Sequence, residues 1–153
     1  MAGHSTRFPL AGGLSQASGR IGLTIDGKGL IDVTRPVAHW LVETGVYEGL
    51  LTVFIRHTSA SLTIQENADP DVLADLVDAL ECLAPEHGRY RHGAEGPDDM
   101  PAHIKASLTA TSLAIPVADG AMVLGTWQGL YLWEHRTRRH ERELALHFMG
   151  TLR

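Results

Sequence analysis

Cysteine is almost missing from this sequence: Cys82 is the only one among 153 residues. An intrachain disulfide framework is therefore excluded, and a reducing cytoplasm is the expected compartment. No apolar run approaches the roughly 20 residues that span a bilayer, so no membrane partner is expected. A charged-then-apolar leader is also lacking, so nothing points to export. Positive charge is in deficit. The formal net charge is −5 with neutral histidines, which leaves no global basic field and makes nucleic acid an unlikely partner. There is no internal repeat.

What is present suits one globular domain. Apolar residues make up 44% and charged residues 20%, close to ordinary globular values. The length is enough to bury a single core without covalent staples. The one compositional oddity is nine histidines.

Residues 1–19 are rich in Gly, Ser and Ala and read as an N-terminal arm or tail, with a short edge strand at its end. Residues 20–153 read as the domain. Ile21, Leu23 and Ile25 alternate with small or polar residues, Asp26-Gly27 and Gly29 mark a turn, and Leu30 to Val33 resumes: a hairpin pattern. Thr34 and Pro36 open a helix that Gly45 can close. Leu50 to His57 alternates as a strand, with Leu51, Val53, Ile55 and His57 on one face. Leu62 to Ile64 continues the sheet. Asp69-Pro70 opens the clearest helix, with Val72, Leu73, Leu76, Val77 and Leu80 as its apolar stripe. A polar loop from Pro85 leads to a short helix from Pro101 to Leu108. Strands at Ser112–Val117, Met122–Gly125, Gly129–Glu134 and Glu143–Phe148 complete the chain. Strands dominate, with helices between groups of them. The expected class is α+β, an antiparallel, bent or sandwich-like sheet with two to three helices.

Three segments carry the candidate chemistry. The first runs from Tyr90 to Lys105, where a loop holding His92 feeds a helix holding His103, with Asp98 and Asp99 at its start. Neutral imidazole is the commonest protein metal ligand, and a neighbouring carboxylate can join the shell or orient a ring. The bland alternative is a solvated loop with Asp99 as an ordinary helix cap. The second segment is His57 to Pro70. His57 ends the core face of its strand, and Thr58, Ser59 and Ser61 offer hydroxyls. The free amides of the following helix favour anions, although Asp69 at the cap opposes a second negative group. No Gly-x-Ser-x-Gly elbow is present, which argues against a serine hydrolase. The alternative for His57 is a core histidine with one backbone partner.

The third segment is Leu124 to Arg136. Gln128, Leu130, Leu132 and Glu134 share one strand face. If that face is core, Glu134 needs a metal, an Arg or a His as partner. Trp127 and Trp133 read as core or subunit-interface residues. Arg136 to Arg142 reads as a solvated basic turn that protects a sheet edge. Cys82 reads as a packing residue.

Together these strings resemble the YjbQ family, also called the secondary thiamine-phosphate synthase family. The matching stretches are HTSASLTIQENADPDV (His57 to Val72), EGPDDMPAHIKASL (Glu95 to Leu108), TSLAIPV (Thr111 to Val117) and GTWQGLYLWEHR (Gly125 to Arg136). They occur in the family's order and cover the chain from about Ile21 to its C-terminus. The family's polar signature falls on His57, Ser59, Glu66, Asn67, Asp69, His92, Asp99, His103, Gln128 and Glu134. Many relatives have Asn where this chain has Gly93.

The resemblance implies a homotrimer with its site at subunit boundaries. It also implies coupling of a hydroxymethylpyrimidine diphosphate to a thiazole phosphate with release of pyrophosphate. On this reading His57, Ser59, Glu66, Asp99 and Glu134 are the candidate catalytic groups. His92, His103 and His57 are candidate ligands of a divalent metal, zinc or magnesium. Thr126, Gln128, Asn67 and Lys105 would hold the phosphorylated heterocycle. Two other readings stand beside it: a non-catalytic trimer that binds a small anion or a partner, and a metal-dependent hydrolase.

Overall fold

The computed structural model describes residues 6–9 and 13–153, with side chains described from residue 13 on. The element order is β1 (Thr6–Pro9), β2 (Ser15–Ile25), β3 (Gly29–Asp32), α1 (Thr34–Thr44), β4 (Val46–Ile55), β5 (Ala60–Glu66), α2 (Pro70–Leu83), α3 (Asp99–Leu108), β6 (Ser112–Ala118), β7 (Ala121–Met122), β8 (Gln128–Glu134) and β9 (His140–Leu152). The strands form two antiparallel sheets. One has the order β1-β2-β9-β4-β6-β7 and the other β3-β8-β5. The fold is α+β.

Period-two alternation decides what the sheets bury. Ile21 and Ile25 of β2, Leu51, Val53 and Ile55 of β4, and Leu144, Leu146 and Phe148 of β9 point inward. They meet Ala60, Leu62, Leu130 and Leu132 from the smaller sheet in one core. α1 adds Val37, Trp40 and Leu41 and packs against β2, β7 and β8. Just ahead of it the Asp32 carboxylate accepts from the Thr34 amide at 2.8 Å. Its end is closed by Gly45 in the left-handed region. α2 and α3 pack against β5. None of the described helices is long and apolar enough to cross a membrane.

Several local expectations change. Ile21 to Val33 is not a hairpin, because both edges of β2 are already paired, with β1 and β9. The chain crosses instead to the other sheet, where β3 pairs with β8. Leu62 to Ile64 likewise belongs to the smaller sheet. Ser15 to Gly19, at the end of the arm, form the first part of β2 and pair with Leu146 to Gly150. The α2 stripe is only partly covered, with Leu80 alone buried. Trp133 is buried, whereas Trp127 is exposed, and Cys82 is exposed.

Candidate functional site

The helix α3 begins at Asp99 rather than Pro101. That shift puts Asp99 in the first turn, four residues before His103 and on the same helix face. The Asp99 carboxylate does not cap the helix. Its Oδ2 lies 2.7 Å from His92 Nε2 and 3.5 Å from His103 Nε2. The two imidazoles meet edge to face, with centroids 5.6 Å apart. One ligand atom from each of His92, Asp99 and His103 lies within 4.8 Å of the other two.

The donor set fits a divalent cation. His103 Nδ1–H donates to the Thr58 carbonyl at 3.1 Å, which leaves the Nε2 lone pair directed at Asp99. Bonds of about 2.1 Å in a tetrahedral shell require donor separations of roughly 3.4 Å. The His103–Asp99 distance already matches. The His92–Asp99 distance must open, which breaks the hydrogen bond that His92 Nε2–H donates to Asp99, and the His92 side chain is half exposed.

Behind Asp99 lies a buried cation. Arg136 donates from Nη1 to Asp99 Oδ1, from Nε to Asp98 Oδ2 at 3.1 Å and from Nη2 to the Glu95 carbonyl at 2.8 Å. The Thr137 amide also donates to Asp98. Burial works to raise the Asp98 carboxyl, but the Thr137 amide and Arg136 outweigh it and hold it at about 2.

A second cluster adjoins the first. Glu134 is sealed from solvent and bound by Arg142 through Nε–Oε2 at 2.6 Å and Nη2–Oε1 at 2.7 Å. The Arg136 amide donates to the same carboxylate at 2.9 Å. Arg142 also donates to His57 Nδ1 at 2.9 Å and to Ser59 Oγ at 3.0 Å. His57 therefore has its Nδ1 lone pair occupied and carries its proton on Nε2. In that tautomer it offers a hydrogen-bond donor and no lone pair for a metal. Burial, with Arg142 next in size, pushes the His57 imidazolium below its usual range. His57, His103, Ser107 and Thr109 line an open cleft of about 430 Å³.

The sequence-derived residues thus divide. His57, Ser59 and Glu134 come together around Arg142, and His92, Asp99 and His103 around Arg136. Glu66, Asn67, Thr126 and Gln128 lie at the opposite end of the β5–β8 pair. The register runs from Ala60–Glu134 to Glu66–Gln128, roughly 20 Å along the strands. There Asn67 and Gln128 hold a turn. The Asn67 amide donates to the Trp127 carbonyl, Asn67 Nδ2 to the Gln128 carbonyl, and Gln128 Oε1 accepts from the Gly125 amide. Asp69 caps α2 through the Asp71 amide. Lys105 sits two residues from His103, on the other side of α3. It is buried and donates to Glu81, not to a site facing solvent.

Sequence reasoning missed Arg136, Arg142 and His135. Arg142 continues the inward register of Leu144, Leu146 and Phe148, so alternation marked it. His135 is fully buried, and its Nε2 lies 2.9 Å from Ser61 Oγ. A serine and a histidine do meet, but both are sealed from any substrate.

Comparison with known proteins places this geometry in context. The family described as UPF0047 protein YjbQ-like matches residues 20–151. The chain belongs to that family. A UPF0047 protein of Synechocystis sp. is 54% identical over 129 residues, covering 84% of this chain and 88% of that protein. The UPF0047 protein YjbQ of Escherichia coli O157:H7 is 41% identical, covering 84% and 94%. Among solved structures, an uncharacterised conserved protein of the same family from Clostridium acetobutylicum superposes with a TM-score of 0.78 at 38% identity, covering 84% of this chain and 98% of that one. A YbjQ-like protein of unknown function from Sulfolobus solfataricus shares the fold at a TM-score of 0.78 and 20% identity, covering 96% and 99%.

Proposed function

We propose that this protein is a divalent-metal enzyme acting on phosphorylated heterocycles, with thiamine-phosphate synthase-like activity. The observation that carries the reading is the convergence of His92 Nε2, His103 Nε2 and Asp99 Oδ2. Two imidazoles suit zinc better than magnesium, which prefers oxygen donors. In the reaction, a thiazole-phosphate nitrogen bonds to the pyrimidine methylene carbon as that carbon's bond to the diphosphate oxygen breaks. The electron pair departs on pyrophosphate. A bound cation would supply Lewis-acid stabilisation of that leaving group.

The chain's own residues supply the rest. Thr58 fixes the His103 ring through its carbonyl. Arg142 fixes His57 with its Nε2–H free to donate to a phosphate oxygen in the shared cleft. Ser59 is held by Arg142 beside them. We further propose that the protein works as a cytoplasmic homotrimer with this site at a subunit boundary. Exposed Leu50, Phe54 and Met149 on adjacent strands of the larger sheet support a covered face.

Metal analysis of protein purified without chelator tests the reading, alongside turnover of the two phosphorylated substrates. The expected result is one metal per chain, lost in His103→Ala together with turnover. Metal-free protein with unchanged turnover in His103→Ala would sink it. Light scattering is expected to give three times the 16.6 kDa chain mass.

A further inference from the structure

Arg136 does more than neutralise its neighbours. Its guanidinium is 8% exposed as a residue and bonded on every edge. Nε binds Asp98, Nη2 binds the Glu95 carbonyl and Nη1 binds Asp99 Oδ1. Its backbone amide is tied to Glu134. One oxygen of Asp99 is therefore committed to the protein interior. Only Oδ2 faces the two imidazoles.

We infer that Arg136 is a positioning residue that confines Asp99 to single-oxygen coordination and so keeps one position at the cation open for a substrate oxygen. The inference rests on the metal reading above. A carboxylate can coordinate through one oxygen or both. Two imidazole nitrogens with a two-oxygen carboxylate make four protein donors, which fills a four-coordinate shell. With one oxygen they make three, the pattern of sites that exchange water for substrate. A guanidinium suits the task because its fork is planar, rigid and permanently charged. Asp98 and the Glu95 carbonyl hold the fork from the sides, so it cannot turn away. A cation held there would be open to solvent on one side, since His92 is 46% exposed and His103 34% exposed at the side chain.

Cobalt(II), added to the full-length metal-free chain, is the probe. The wild type is expected to give the intense visible bands of a four-coordinate site. X-ray absorption should show a single carboxylate oxygen contact, and inorganic phosphate should shift the bands without releasing cobalt. Arg136→Gln frees Asp99 Oδ1. It should keep the four-coordinate intensity with displaced band positions, abolish the phosphate shift and loosen cobalt by about 10- to 100-fold. An Arg136→Gln spectrum identical to wild type, with only thermal stability lowered, overturns the inference. Should that variant fail to fold, X-ray absorption of the wild type decides alone, and a two-oxygen carboxylate there overturns it. A wild type that binds no cobalt removes the metal reading itself, a different failure from binding with the wrong carboxylate geometry.

Discussion

Arg142 Nη1 donates to His57 Nδ1 at 2.9 Å, so a buried arginine dictates which nitrogen of an accessible histidine carries the proton. The same guanidinium holds Glu134 and Ser59, which leaves it no freedom to release the ring.

This contact predicts that His57 is neutral at pH 7 and protonated on Nε2. Burial and the Arg142 charge both disfavour the imidazolium, against a smaller opposing pull from Glu134. The folded pKa therefore lies below the unfolded value near 6.5. The stability this group contributes is complete above that value and is lost as pH falls. Nitrogen-15 NMR of labelled protein should show Nδ1 unprotonated and a titration midpoint below 6.5. A proton on Nδ1 at pH 7 would contradict the assignment.

Glu134 and Arg142 form a charge pair with almost no solvent contact. Removing one partner from such a pair leaves an uncompensated charge in the interior. Glu134→Ala is expected to cost about 3–5 kcal/mol in denaturant unfolding. Glu134→Gln, which keeps an acceptor oxygen, should cost less. A loss under about 1 kcal/mol for the alanine variant would mean that water reaches Arg142.

Acid should weaken the fold in two stages. His135 is buried against Ser61, and burial, with Lys105 next, drives its pKa down to about 3. The unfolded chain takes up this proton near 6.5, so stability falls as pH drops from about 6.5 toward 3. Asp98 acts lower, between its ordinary 3.8 and about 2. Thermal melts should show Tm falling through the first window in the wild type, with a shallower slope in His135→Gln. Equal slopes would show that another group governs that window.

Much of the fold was legible because it follows from alternation and punctuation. Leu51, Val53 and Ile55 declared the inward face of β4, and Asp69-Pro70 declared the start of α2. Asp119 and Gly120, which join β6 to β7, both have positive φ. Sheet membership was not legible. Nothing local in Ile21 to Val33 tells that β2 finds both neighbours elsewhere in the chain. At the candidate site, residue chemistry showed through and partnership did not. His92, Asp99 and His103 stood out as metal-ligand types, and Glu134 as a carboxylate needing a metal, an arginine or a histidine. The arginines themselves were hidden in a turn whose charge looked solvated. Arg136 meets Asp98 and Asp99 from a distant segment, and Arg142 meets Glu134 across the turn that joins β8 to β9.

The close crossing of β4 and β9 gives the last prediction. Gly49 and Gly150 are direct partners in the ladder. A Cβ on Gly150 would press against the Glu48 carbonyl oxygen and lie 2.7 Å from both Gly49 Cα and Phe148 Cζ. The first two are backbone atoms in paired strands, so neither can yield without opening the register shift between Val46 and Glu48. Phe148 is fully buried and has nowhere to rotate. Gly150→Ala should therefore destabilise by at least the roughly 1–3 kcal/mol typical of an overpacked interior. Gly22 is the internal control: it lies in β2, and an added Cβ there meets nothing within 4 Å. Gly22→Ala should stay within about 0.5 kcal/mol of wild type. If the two variants unfold at the same denaturant concentration, the strands do not approach at Gly150 as described.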